Sequence, residues 1–193
     1  MIKTRDDLKR YVDAERKLYL GEKTYIQRIK ERLLRTEDYL LWRYVYLMRK
    51  AEYYGNNDNP ILFMWYQRRK NILGVKLNIT IRKNNFSEGV RIWHSGIIIN
   101  GYAKIGKNCQ LHGFNCIGNK GGTDEKAPIL GDNIDVGVGA KIIGHVYIAD
   151  GVKIGANAVV NKSCYKKNAV LVGVPAKIIE TESKIEDRLY KEI

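Results

Sequence analysis

Read in steps of six from Trp93, the chain places an apolar residue at each stop: Trp93, Ile99, Ile105, Leu111 and Ile117. The step breaks across GNKGGTDEKAP, residues 118–128, and resumes at Leu130, Val136, Ile142, Ile148, Ile154 and Val160. Glycine follows the aliphatic residue in IGKN, IGNK, LGDN, VGVG and IGAN. A period of six matches neither the 3.6-residue turn of a helix nor the longer alternation of an open sheet. It matches a solenoid in which every six residues make one short strand and a turn. Three such units close a triangular coil of 18 residues, and the inward aliphatic side chains stack from coil to coil. The segment that breaks the step then reads as a loop ejected from one corner.

Two of the three histidines, His94 and His112, stand 18 positions apart. Each directly follows an expected inward residue, Trp93 or Leu111. In an unbroken coil they share one corner of successive turns, with backbones about 4.8 Å apart, the distance between neighbouring strands. His145 falls on a different face.

Residues 1–72 read as helices. Thr4-Arg5-Asp6-Asp7 has the form of a capping box with an acidic first turn. A second helix is expected over Thr24 to Leu34 and a third over Asp38 to about Tyr53, where Leu40, Leu41, Tyr44, Leu47 and Met48 make an apolar stripe. GNNDNP, residues 55–60, interrupts, and a short helix is expected over Ile61 to Lys70. Stacked coils leave exposed ends, and this helical region is placed to cover one of them. IEDRLYKEI, at 185–193, suits a small C-terminal helix.

The net charge of +13 favours polyanionic partners such as a membrane face or phosphorylated small molecules. Residues 1–72 carry 17 Lys and Arg against 10 Asp and Glu, a surplus of seven. No long Lys/Arg block or nucleic-acid motif points to DNA or RNA. No run of about 18 apolar residues suggests a membrane span, and the charged start of the chain does not read as a signal peptide. Cys109, Cys116 and Cys164 lack metal-type spacing and read as reduced packing thiols. The expected location is cytoplasmic.

The hexapeptide run, the ejected loop, and the segments APILGDN, VGVGAKIIG, IGANAVV and GVPAKI together resemble the hexapeptide-repeat acyltransferases. The nearest branch is that of the serine acetyltransferase-like O-acetyltransferases, including members that modify polysaccharides. The resemblance implies a mainly β fold: a left-handed parallel β-helix over residues 73–180 with the loop 118–129 ejected, an α-helical region over 1–72, and a C-terminal helix or tail over 181–193. It also implies a homotrimer, acetyl-CoA as co-substrate, no metal, and an active site in the cleft between subunits. His94 in IWHSG matches the catalytic histidine, and His112 in QLHGF matches a histidine found in polysaccharide-modifying relatives. An imidazole titrates near neutrality, so it can take the proton of an attacking hydroxyl, and backbone amides at the glycine-rich corners can hold the oxyanion. Which of the two histidines is the base stays open. Family positions for the CoA arm fall at Gly139, Ala140, Ala156 and Asn157, and Lys177 and Lys162 match positions near the nucleotide phosphates.

Two departures bear on the acceptor. Serine acetyltransferases carry Asp before the catalytic histidine, where this chain has Trp93, and a second histidine in the ejected loop, where this chain has none and Ala127 falls nearby. Both favour a bulkier acceptor, a sugar hydroxyl of a surface polysaccharide or its phosphate-bearing precursor, over the alternative, L-serine. Two readings of other classes are a non-catalytic trimeric scaffold and a metal site built from the three histidines. The latter is weakened by the separate face of His145 and the need for about four convergent ligands.

Overall fold

Each N-terminal helix starts where the sequence supplies an acceptor for its free amide groups. In the computed structural model, which describes residues 1–121 and 125–179, helix α1 (Arg5–Leu20) begins with Thr4 and Asp7 each accepting from the other's backbone N–H. The amides of Thr4 and Lys3 hold the Asp7 carboxyl at about 2. Thr24 and Gln27 repeat the exchange at α2 (Tyr25–Leu34), and Thr36 caps α3 (Glu37–Asn56). Asn59 caps α4 (Pro60–Leu77), with Pro60 in the first turn, where a missing N–H costs nothing. Helix α4 outruns its expected end at Lys70. Lys70, Leu73, Gly74 and Leu77 keep a helical spacing on its buried side, and Asn78 in the left-handed region stops it. The helix expected over 181–193 lies outside the described residues.

The repeat folds as three parallel sheets around one apolar column. One face stacks β1 (Arg91–Ile92), β4 (Gln110–Leu111), β7 (Asp135–Val136), β10 (Lys153–Ile154) and β12 (Val170–Val172), closed by the antiparallel β13 (Lys177–Ile179). The second face stacks β2 (Ile98–Ile99), β5 (Cys116–Gly118), β8 (Lys141–Ile143) and β11 (Val159–Val160). The third stacks β3 (Lys104–Ile105), β6 (Ile129–Leu130) and β9 (Tyr147–Ile148). Partners such as Ile98 and Cys116, or Asp135 and Lys153, are 18 residues apart. Across the ejected loop the offset grows to 25, as for Gln110 and Asp135. Ile99, Leu111, Ile117, Val136 and Ile142 are buried in the column, as the period of six requires.

Trp93 departs from that pattern. The buried residue of the first strand is Ile92, fully shielded, while Trp93 is 42% exposed. Ile92 pairs with Leu111, an offset of 19. One extra residue therefore sits in the corner between Ile92 and Ile99. Gly96 accommodates it with a φ of +82° and donates its N–H to Leu77 O at 3.0 Å. Ile92 fills the interior position, and the indole is left outside. The two histidines are thus one step out of register with each other, and His112 follows the partner of Ile92 rather than that of Trp93.

One buried side chain joins the helices to the coil. Arg49 of α3 is fully shielded, and its guanidinium donates to Glu15 of α1 at 2.5 and 2.9 Å and to Glu52 at 2.8 Å. It also donates to the carbonyls of Phe86 at 3.1 Å and Ser87 at 2.6 Å, in the first turn of the coil. Nearby, Lys70 of α4 donates to Ile81 O at 2.7 Å, and burial pulls its ammonium down to about 8. Removing one member of a buried charge cluster leaves the others uncompensated. Arg49→Met is expected to lower unfolding stability at neutral pH by about 3–5 kcal/mol, measured by chemical denaturation.

Candidate active site

The site begins at the extra-residue corner after β1. That corner turns the side chain of His94 outward, where the tip of α3 meets it. Glu37, the first residue of α3, spans the corner: one carboxylate oxygen lies 3.2 Å from His94 Nδ1 and the other accepts the Ser95 N–H at 2.9 Å. Partial burial pushes the Glu37 carboxyl up, but the Ser95 amide and then His94 outweigh it and leave it below the ordinary carboxylate value. Its place at a helix N-terminus also favours negative charge. A carboxylate only accepts, so the contact to Nδ1 requires the proton on that nitrogen. Nε2 of neutral His94 is then left with its lone pair.

The helix tip is anchored by the next residue. Asp38 accepts from Arg91 at 2.8 Å and pairs with Lys23. Arg91 lies between two rings, its guanidinium carbon 4.1 Å from the Tyr19 centroid and 4.4 Å from that of Trp93. Trp93 in turn stacks on His112, with centroids 5.9 Å apart and planes 18° apart. His112 Nε2 is held by Asp135 at 2.8 Å. The residue standing where an Asp was expected is therefore the middle of a stacked row that runs from α1 to the second histidine.

His94 and His112 line one open groove of about 600 Å³, together with Asp135, Gly137, Lys153 and Ala156. Of the expected CoA positions, Ala156 is on this groove. Gly139 and Asn157 share one corner of successive coils, where the Asn157 N–H donates to Val138 O at 2.9 Å and the Gly139 N–H donates to Gly113 O at 2.9 Å. Ala140 is fully buried, and its N–H is used by Gly137 O at 3.2 Å. Lys162 and Lys177 are exposed and do not line the groove, and neither does the exposed His145. Among the described residues no three His, Cys, Asp or Glu side chains converge as a metal site.

Sequence reasoning missed both carboxylates. Asp135 was within reach: its strand pairs with that of His112 once the ejected loop is counted out of the register. Glu37 was not, because it lies 57 residues before His94 and carries no motif.

A parallel coil of very short strands is the architecture of the hexapeptide-repeat acyltransferases, a left-handed parallel β-helix. Soybean serine acetyltransferase apoenzyme superposes on it with a TM-score of 0.72 at 22% identity, covering 90% of this chain and 69% of that one. A serine acetyltransferase in complex with CoA superposes with a TM-score of 0.67 at 22% identity, covering 90% and 68%. In sequence, the serine acetyltransferase of Mycobacterium tuberculosis is 36% identical over 86 residues, 44% of this chain and 37% of that protein. That of Buchnera aphidicola subsp. Acyrthosiphon pisum is 30% identical over 146 residues, 74% of this chain and 51% of that protein. The chain spans about half, or less, of the length of the relatives it matches. No family model matches it. The chain is serine acetyltransferase-like in sequence and has the left-handed parallel β-helix as its fold.

The backbone facing His94 leaves no room for a side chain. Gly113 has a φ of +115°, and a Cβ there would come within 2.8 Å of His94 Cβ. Gly113→Ala is expected to cost about 1–3 kcal/mol of stability and to push His94 off Glu37, seen by denaturation together with a crystal structure of the variant.

Proposed function

We propose that this chain is an acetyl-CoA-dependent O-acetyltransferase in which His94 is the general base. The observation that carries this reading is the Glu37 contact to His94 Nδ1, which leaves Nε2 free to take a proton. The acceptor hydroxyl attacks the thioester carbonyl carbon as Nε2 removes its proton. The tetrahedral adduct collapses, the C–S bond breaks, and the imidazolium returns the proton to the departing CoA thiolate. Glu37 fixes the tautomer and balances the transient imidazolium, as the carboxylate of a catalytic triad does. His112, turned by Asp135 and stacked on Trp93, is the acceptor-side residue in this reading. Ala156, Gly139 and Asn157 lie along the β-helix side where the pantetheine arm would run, and Lys162 and Lys177 are the cations for its phosphates. A homotrimer, with a neighbouring subunit closing the open groove, completes the proposal.

For the acceptor, the relatives and the solved neighbours are named for serine, and this supports L-serine above the sugar hydroxyl that the missing Asp first suggested.

Turnover with acetyl-CoA, followed by thiol release across L-serine and a panel of sugars and nucleotide sugars, tests both parts. His94→Ala is expected to lose roughly 10²–10⁴-fold in kcat. Glu37→Gln is expected to lose about tenfold or more in kcat with the KM for acetyl-CoA unchanged. Loss of turnover in His112→Ala with His94→Ala still active would reverse the two roles. An acetyl-CoA complex that fails to form would remove the enzyme reading altogether.

A further inference from the structure

Helix α4 carries no Asp or Glu in its 18 residues. Its outer side is a stripe at helical spacing in which apolar and basic side chains alternate. Ile61, Met64, Trp65, Ile72 and Val75 are all exposed, Val75 to 84% and Ile61 to 75%. Between them stand Arg68, Arg69 and Lys76, also exposed, with the Arg69 guanidinium 4.5 Å from the Trp65 ring centroid. Across an open groove of about 590 Å³, Arg32 and Arg35 at the end of α2 face the same space, and no carboxylate lines it. Arg43 of α3 stands at its floor. Among the described residues, none of these six Arg and Lys side chains forms an ion pair. Helix α2 buries no residue, and Tyr25, Ile26 and Leu33 project from it into solvent.

Two costs coincide on this surface. Apolar side chains are left in water, and like charges are gathered without counter-ions of the protein's own. A free phosphate ligand would relieve only the second. A second copy of the same face would relieve the first but bring two basic grooves together. An anionic lipid surface relieves both, because it offers phosphates to the guanidinium groups and an acyl boundary to Trp65 and its apolar neighbours. No helix among the described residues is long and apolar enough to cross a membrane, so the contact would be interfacial.

We propose that the α2–α4 face docks on an anionic phospholipid surface. The proposal is independent of the acetyl-transfer reading, and its test measures no turnover. The test is co-sedimentation of the full chain with phosphatidylcholine vesicles, with and without about one third phosphatidylglycerol. Binding is expected only to the anionic vesicles and is expected to weaken in high salt, because the attraction is screened. The double variant Arg68→Glu, Arg69→Glu is expected to lower it by more than about tenfold. Trp65→Ala, at an exposed position, is expected to lower it several-fold with the circular dichroism spectrum unchanged. The proposal is overturned by any of four results. One is no binding to anionic vesicles, and another is full binding by the charge-reversed variant. A third is displacement by inorganic pyrophosphate at low concentration, which would identify a soluble phosphate ligand. The fourth is a changed sedimentation coefficient of the lipid-free double variant, which would identify a second copy.

Discussion

Arg49 determines how the two halves of this protein meet. A guanidinium taken fully out of water is tolerated only when all its donors are used, and here they are used by α1, by α3 itself and by two carbonyls of the first coil. The bonds to Phe86 and Ser87 fix where α3 lies against the solenoid. Helix α3 is then a strut, clamped near its middle by Arg49 and at its tip by Asp38. The residue at that tip, Glu37, is delivered to the corner that presents His94. The position of the carboxylate that meets His94 is therefore tied to a buried ion cluster that lines none of the groove.

This arrangement explains how the chain can lack an Asp before its histidine. A neighbour in sequence could orient His94 only from within the same corner, and that corner is already enlarged by one residue. Trp93 has been turned outward and recruited to a row of stacked groups: Tyr19, Arg91, Trp93 and His112. The orienting carboxylate comes instead from the helical region, in a contact that also holds the Ser95 amide. The helices consequently do more than cover the end of a stack. They supply part of the candidate site and also carry a basic and apolar surface of their own.

The coil was legible because its signal is repeated: one aliphatic residue every six positions, each buried in the same column. That redundancy made Ile99, Leu111, Val136 and Ile142 recognisable one by one. It failed at Trp93, where a single added residue shifts the register and hydrophobicity alone does not distinguish an inward indole from an outward one. The start of α1 was legible from the capping box at Thr4, whose chemistry is local, whereas Pro60, read as part of an interruption, is the first residue of α4. The end of α4 was missed: the expected helix ended at Lys70, whose ammonium is bonded to Ile81 inside the protein, and the helix runs on to Leu77. Glu37 could not be read from sequence at all, since its role exists only once α3 and the first coil are packed together. The acceptor preference inferred from missing residues also weakened, because the similar proteins are named for serine.

The most direct test of the Glu37–His94 pairing is the tautomeric state of the histidines by ¹⁵N NMR. The chain has only three histidines, so the imidazole nitrogens can be assigned by substitution. In the neutral form, His94 should carry its proton on Nδ1 and His112 on Nε2, facing Glu37 and Asp135 respectively. Glu37→Ala should release His94 to the Nε2–H form favoured by a free imidazole and leave His112 unchanged. A His94 protonated on Nε2 in the wild type, or unaffected by loss of Glu37, would contradict its assignment as an oriented base.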